Sequence, residues 1–150
     1  MKRVGLLVTV LAVTTAATVE AAPVDRSTFV RRADAICKPT ISKAVPLLQD
    51  GLRYADQGNT DAAAKKFVKA YRLFRGAYQK IGKLNRPAQD TDRIRKWVDL
   101  TLRGTGVGVD SVQALRVDQL QRALRLSKRT LKIFRKAHHV VAFWGFQYCV

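Results

Sequence analysis

The sequence predicts an all-α fold, a four-helix bundle of up-down-up-down connectivity with a disulfide between helix 1 and the C-terminal tail. Three observations predict it. Four segments carry apolar residues at three- and four-residue spacing, short Gly-, Asn-, Asp- and Pro-containing stretches separate them, and the only two cysteines, Cys37 and Cys149, stand near the two ends of the folded part.

The first residues set the compartment. Met1-Lys2-Arg3 is a positive n-region, Val4 to Val13 an apolar core, and Val19-Glu20-Ala21 a small-residue cleavage pattern. A signal peptide over 1–21 and a single helical-bundle domain over 22–150 are expected, with a secreted or extracytoplasmic location. The apolar run is shorter than the roughly 20 residues that span a bilayer, and no Cys ends it to accept a lipid anchor. In an oxidising compartment Cys37 and Cys149 read as a disulfide, with two free buried thiols as the alternative. Closing most of the chain into one loop is worth roughly 4 to 5 kcal/mol on the chain-entropy model. No Cys-x-x-Cys is present, so the bridge is a staple and not a redox centre. A metal site on the two cysteines is poor, because the only histidines, His138 and His139, diverge by about 100° on a helix.

Helix 1 is expected from the spacing of Phe29, Ala33, Ile36, Cys37, Ile41, Ala44, Leu47, Leu48 and Ala55, capped by Ser27. Pro39 and Pro46 fall on one side, which predicts a single bent helix or two collinear pieces with the prolines outward. Helix 2 has the clearest stripe, from Ala63 through Phe67, Ala70, Tyr71, Phe74, Ala77 and Tyr78 to Ile81 and Leu84, and its aromatic ladder reads as core.

The third segment, Asp90 to Leu115, is ambiguous. Val98, Leu100 and Leu102 alternate like a strand before a Gly-rich turn, which would give a hairpin over 98–109. Ile94, Trp97, Val98 and Thr101 keep helical spacing, and Asp92 to Lys96 and Asp99 to Arg103 are well-ordered i,i+4 pairs, so a helix is expected. Asp34 to Lys38, Asp61 to Lys65 and Asp118 to Arg122 repeat that pairing. Gly104, Gly106 and Gly108 imitate a dinucleotide fingerprint, but no strand-to-helix unit surrounds them, and a close helix contact at Gly104 and Gly108 explains them better. No cofactor is implied.

Helix 4 is expected to start at the N-cap Asp118 and to run to about Trp144, with Leu120, Leu124, Ser127, Leu131, Phe134, His138 and Val141 on its inner face. Cys37 lies about nine residues, roughly 14 Å, into helix 1. The tail Gly145-Phe146-Gln147-Tyr148-Cys149 must therefore turn back along the bundle, with Phe146 and Tyr148 plugging its end.

Phe29-Val30-Arg31-Arg32-Ala33-Asp34-Ala35-Ile36-Cys37 and Gly145-Phe146-Gln147-Tyr148-Cys149 resemble the two ends of uncharacterised exported helical-bundle proteins of actinobacterial type. The resemblance implies a helical bundle with a terminal disulfide and supplies no activity, cofactor or catalytic residue. Relatives of that type often carry a lipoprotein signal, which is missing here, so membrane tethering is not carried over.

Charge is the remaining signal. With 28 Lys and Arg against 11 acids the formal charge is +17. Between Ala62 and Arg86 there are eight bases and no acid, and from Gln119 to Val150 seven bases and no acid. Lys65, Lys66, Lys69, Arg72 and Arg75 on helix 2, and Arg122, Arg125, Arg129, Lys132 and Lys136 on helix 4, are the candidate anion-binding residues. In an up-down-up-down bundle these helices are diagonal, so their basic faces are expected to point in opposite directions. A solvated charged face is the plain alternative. The partners that fit are a polyanionic cell-wall polymer or an anionic membrane surface. Export and the lack of any nucleic-acid motif argue against a genomic partner. No catalytic pair is recognisable and no metal-ligand spacing occurs. A noncatalytic binding or structural protein of the cell envelope is expected, with a small-ligand or metal carrier using the bundle interior near His138 as the alternative.

Overall fold

The computed structural model describes residues 24–149, so the expected leader lies outside the described residues. Helix α1 runs unbroken over Arg26–Asp56. Its cap is Asp25 and not Ser27. The Asp25 carboxylate accepts from the Thr28 amide at 2.7 Å and from the Ser27 hydroxyl at 2.9 Å, because Asp25 immediately precedes the first helical residue and its carboxylate reaches the free amide three residues on, whereas Ser27 already lies inside the first turn. Pro39 and Pro46 sit inside α1 with both rings exposed. The carbonyls they leave without an amide partner therefore face water.

Helix α2 covers Thr60–Ile81 and starts at Asn59, whose side chain accepts from the Ala62 amide at 3.1 Å. A single 3-10 turn, Ala88–Asp90, leads into α3, Thr91–Arg116. The helix passes straight through 98–109, so the hairpin does not form. Helix α4 is Leu120–Val141, shorter at both ends than its apolar pattern suggested. Asp118 does not cap it. That residue sits at φ 56°, in the left-handed region that closes the α3–α4 turn, and Gln119 takes the cap position without a side-chain bond. Beyond Val141, Gly145 at φ 79° reverses the chain.

Helices α1 and α2, α2 and α3, and α3 and α4 pack as antiparallel neighbours, but α1 and α4 form no comparable interface. The bundle is therefore open along one edge, and the returning tail closes only the end of that edge. Phe146 stacks on Trp97 with ring centroids 4.9 Å apart and lies parallel to Trp144 at 6.2 Å, while Phe29 meets Trp144 and Tyr78 meets Trp97 edge-on. Cys149 is bonded to Cys37 across a sequence separation of 112. Asp34 accepts the amides of Gln147, Tyr148 and Cys149 at 2.9–3.1 Å. It caps the tail and forms no ion pair with Lys38.

Of the five i,i+4 pairs expected from spacing, only Asp61–Lys65 forms, at 2.8 Å. Asp92 reaches Arg95 at 3.2 Å, and Arg122 turns to Gln119. Exposed partners three residues away compete on nearly equal terms on a helix surface.

The glycines of α3 behave as close-contact positions at two of three sites. A Cβ on Gly104 would lie 2.8 Å from the Phe134 ring, and one on Gly108 2.5 Å from the Tyr71 ring, whereas nothing lies within 4 Å of Gly106. Gly106→Ala is expected to raise stability by about 0.5 to 1 kcal/mol through helix propensity. Gly104→Ala and Gly108→Ala are expected to lower it by about 1 kcal/mol or more, because the facing ring must move. Urea midpoints of the three variants check this ordering.

The Tyr78 hydroxyl donates to the Cys149 carbonyl at 3.1 Å inside the core, and burial pushes its pKa well above the ordinary tyrosine range. Burial also raises Tyr71. The folded state keeps both phenols protonated, so their contribution is complete below the unfolded pKa of about 10 and is lost as pH rises beyond it. Alkaline denaturation is expected to begin near that pH, and Tyr78→Phe is expected to flatten the slope in a pH-resolved melting series.

Candidate functional site

A groove of about 820 Å³ between α3 and α4 is lined by several cations. Arg93, Lys96, Leu100 and Arg103 recur at three- and four-residue intervals and so form one stripe on α3. Lys136, His139 and Val140 of α4 and Phe143 just beyond its end supply the facing wall, and Trp144 and Arg26 close one end. Arg26 is fixed in place. Its Nε and Nη2 each donate at 2.8 Å to the buried carboxylate of Asp90, and its guanidinium lies 5.0 Å from the Trp144 ring centroid. The bond to Asp90 raises the Arg26 pKa further.

No carboxylate lines the groove, and Arg93, Lys96, Arg103 and Lys136 have no ion-pair partner among the described residues. Phe143, 98% exposed, stands at its rim beside these cations. Permanent cations with an exposed aromatic ring suit phosphate- or carboxylate-bearing surfaces, because guanidinium groups bind such oxygens in pairs and the ring tolerates an interfacial environment.

The sequence-derived anion-binding residues divide. Arg122, Arg125, Arg129, Lys132 and Lys136 are all exposed on α4, and their spacing makes one basic band about 21 Å long that ends in the groove at Lys136. On α2, Lys65 is paired with Asp61, and Lys66 reaches across to Asp50 of α1 at 2.7 Å. Both partner carboxylates are held below their usual pKa, mainly by these lysines. Lys69, Arg72 and Arg75 remain exposed. The α2 face is therefore partly neutralised, while the α4 band continues into the groove shared with α3.

Arg26, Arg93, Lys96, Arg103 and His139 were missed from the sequence. Lys96 and Arg103 stood four residues after aspartates and read as neutralised partners. Their common stripe with Arg93 was the signal that could have found them.

His138 is not on the inner face of α4. It is exposed, at the mouth of a separate cavity of about 330 Å³ between α1 and α4. No group of three or more His, Cys, Asp or Glu side chains among the described residues is placed to hold a metal ion. No described helix is long and apolar enough to cross a membrane. Comparison of the chain with protein-family models, with curated proteins and with solved structures gives no match.

Proposed function

We propose that the protein is an exported, noncatalytic binding protein of the cell envelope that adheres to an anionic polymer or lipid surface through α3 and α4. The observation that carries this reading is the groove in which Arg26, Arg93, Lys96, Arg103, Lys136 and His139 converge from three helices without a lining carboxylate. The α4 band extends the same positive field along the molecule, so a polymer or surface gains several contacts at once. No reaction is assigned to the groove, since its groups offer charge and hydrogen-bond donors but no nucleophile paired with a base.

Retention on anionic vesicles and on a polyanionic cell-wall preparation tests the reading. Wild-type protein is expected to be held at low salt and released steeply as ionic strength rises, because exposed charges are screened over about 10 Å at 0.1 M. Arg93→Ser/Arg103→Ser/Lys136→Ser is expected to weaken retention about tenfold or more, and Arg125→Ser/Arg129→Ser/Lys132→Ser to weaken it less. Lys69→Ser/Arg72→Ser/Arg75→Ser, on the far helix, is expected to have the smallest effect. Equal retention of all four proteins, or binding indifferent to salt, would return these residues to a merely solvated face.

A further inference from the structure

We infer that the cleft between α1 and α4 is a binding site for the hydrocarbon chain of a single-chain anionic amphiphile, a site separate from the basic groove. Ile41 and Leu48 of α1 and Leu131 and Phe134 of α4 form its walls, and Tyr71 and Phe74 of α2 its floor. The aromatic ladder of α2 is thus only half covered, because α1 and α4 do not meet above it. A second cavity of about 350 Å³ shares Tyr71, Thr130 and Leu131 with the first and continues past Leu124 to Leu120. Along this path Leu120, Leu124 and Leu131 are 55%, 48% and 63% exposed. An apolar stripe left open for several helical turns is unfavourable unless something covers it.

The lining chemistry selects the occupant. The hydroxyls of Thr40, Thr101 and Thr130 donate to carbonyls one turn back in their own helices at 2.9–3.0 Å, and that of Tyr78 donates to Cys149. The walls therefore present hydrocarbon and ring faces, with few free polar groups to recognise a peptide backbone or a sugar. A helix filling the cleft from Leu120 to His138 would occupy about 2,000 Å³, several times the space in either cavity. A hydrocarbon chain needs only a narrow channel.

Charge points to an acidic head group. No carboxylate lines either cavity. His138 and Tyr148 stand at the closed-tail end, with the Lys38 ammonium 5.4 Å from the Tyr148 ring centroid. Asp34, one turn before Lys38, has its oxygens engaged by three tail amides. An acid head near Lys38 and His138 with its chain running toward Leu120 satisfies both ends of the site.

The test is fluorescence titration of the disulfide-intact exported protein with cis-parinaric acid, followed by displacement with saturated fatty acids of increasing length and with alcohols of matching length. Saturable binding to one site is expected, with displacement strengthening about three- to fourfold per added methylene until the cleft is filled. Each alcohol is expected to compete several-fold more weakly than its acid. Leu131→Glu, at an exposed position that leaves the fold intact by circular dichroism, is expected to weaken binding at least tenfold, and Ile41→Glu likewise from the opposite wall. Arg93→Ser/Arg103→Ser/Lys136→Ser is expected to leave it unchanged, which separates this site from surface adhesion. No saturable signal, indifference to chain length or to both cleft variants, or loss only in the basic-groove variant would overturn the inference. Stronger displacement by a peptide of residues 4–13, or by self-association at higher protein concentration, would also overturn it and assign the cleft to polypeptide.

Discussion

Cys37→Ser/Cys149→Ser is expected to lower stability by about 4 to 5 kcal/mol while leaving the four helices formed at 25 °C. The magnitude follows from the 112-residue separation that the bridge closes, which on the chain-entropy model removes much of the freedom of the unfolded chain. Local consequences fall on the tail. Without the bridge it is held by the three amides on Asp34, by the Tyr78 hydroxyl on the Cys149 carbonyl and by Phe146 between Trp97 and Trp144. These contacts are short-range and can open together without separating α1 from α2 or α3 from α4. The amides of Tyr148 and Cys149 are therefore expected to gain the most hydrogen exchange, ahead of amides in the middle of α3. Uniform acceleration across all helices would show that the bridge holds the bundle itself, and two free thiols in the non-reduced protein would remove the staple altogether.

Trp97→Ala is expected to cost about 3 to 5 kcal/mol, comparable to the loss of the bridge but distributed differently. Trp97 is 1% exposed, in edge contact with Tyr78 and stacked on Phe146. It is the meeting point of α2, α3 and the returning tail. Truncation leaves a cavity that a helix-borne neighbour cannot fill and removes the surface against which Phe146 folds back. Chemical denaturation should show the lower midpoint, with faster hydrogen exchange in both the tail and the C-terminal half of α2. A loss below about 1 kcal/mol would mean that Phe146 collapses into the space and that the aromatic stack does not organise this end of the molecule.

Much of the fold was legible in the sequence where the signal is local. The helical spacing of Ile94, Trp97, Val98 and Thr101 outweighed the strand-like alternation beyond it, and α3 is continuous. Gly104 and Gly108 read as close contacts, and each receives a ring. The reversal of the tail followed from the depth of Cys37 in helix 1, and the bridge forms as that geometry required.

The faces of α4 were not legible, for a physical reason. Leu120, Leu124, Leu131 and His138 share a stripe that looks like a core face, yet the side buried against the bundle is the adjacent row, Ala123, Thr130, Ile133, Ala137 and Val141. That row is mostly small residues and packs against α3, and hydrophobicity alone cannot distinguish a stripe that meets a helix from one that borders a cleft. The same ambiguity made Phe67, Tyr71 and Phe74 look fully buried when they are only half covered. For the basic groove, the α4 band was visible in the spacing of its cations. Arg26 joins it only because Asp90 and Trp144 hold its guanidinium there, which is a contact across 64 residues of chain.

The most direct test of the proposed adhesion is to map it on the molecule. Isotope-labelled protein titrated with a soluble polyphosphate at low salt is expected to show backbone and side-chain resonance shifts at Arg93, Lys96, Arg103, Lys136, His139 and Phe143, weaker shifts along Arg122 to Lys132, and reversal of all of them at high salt. Shifts spread evenly over every exposed Lys and Arg, or concentrated on Lys69, Arg72 and Arg75, would contradict a site on α3 and α4.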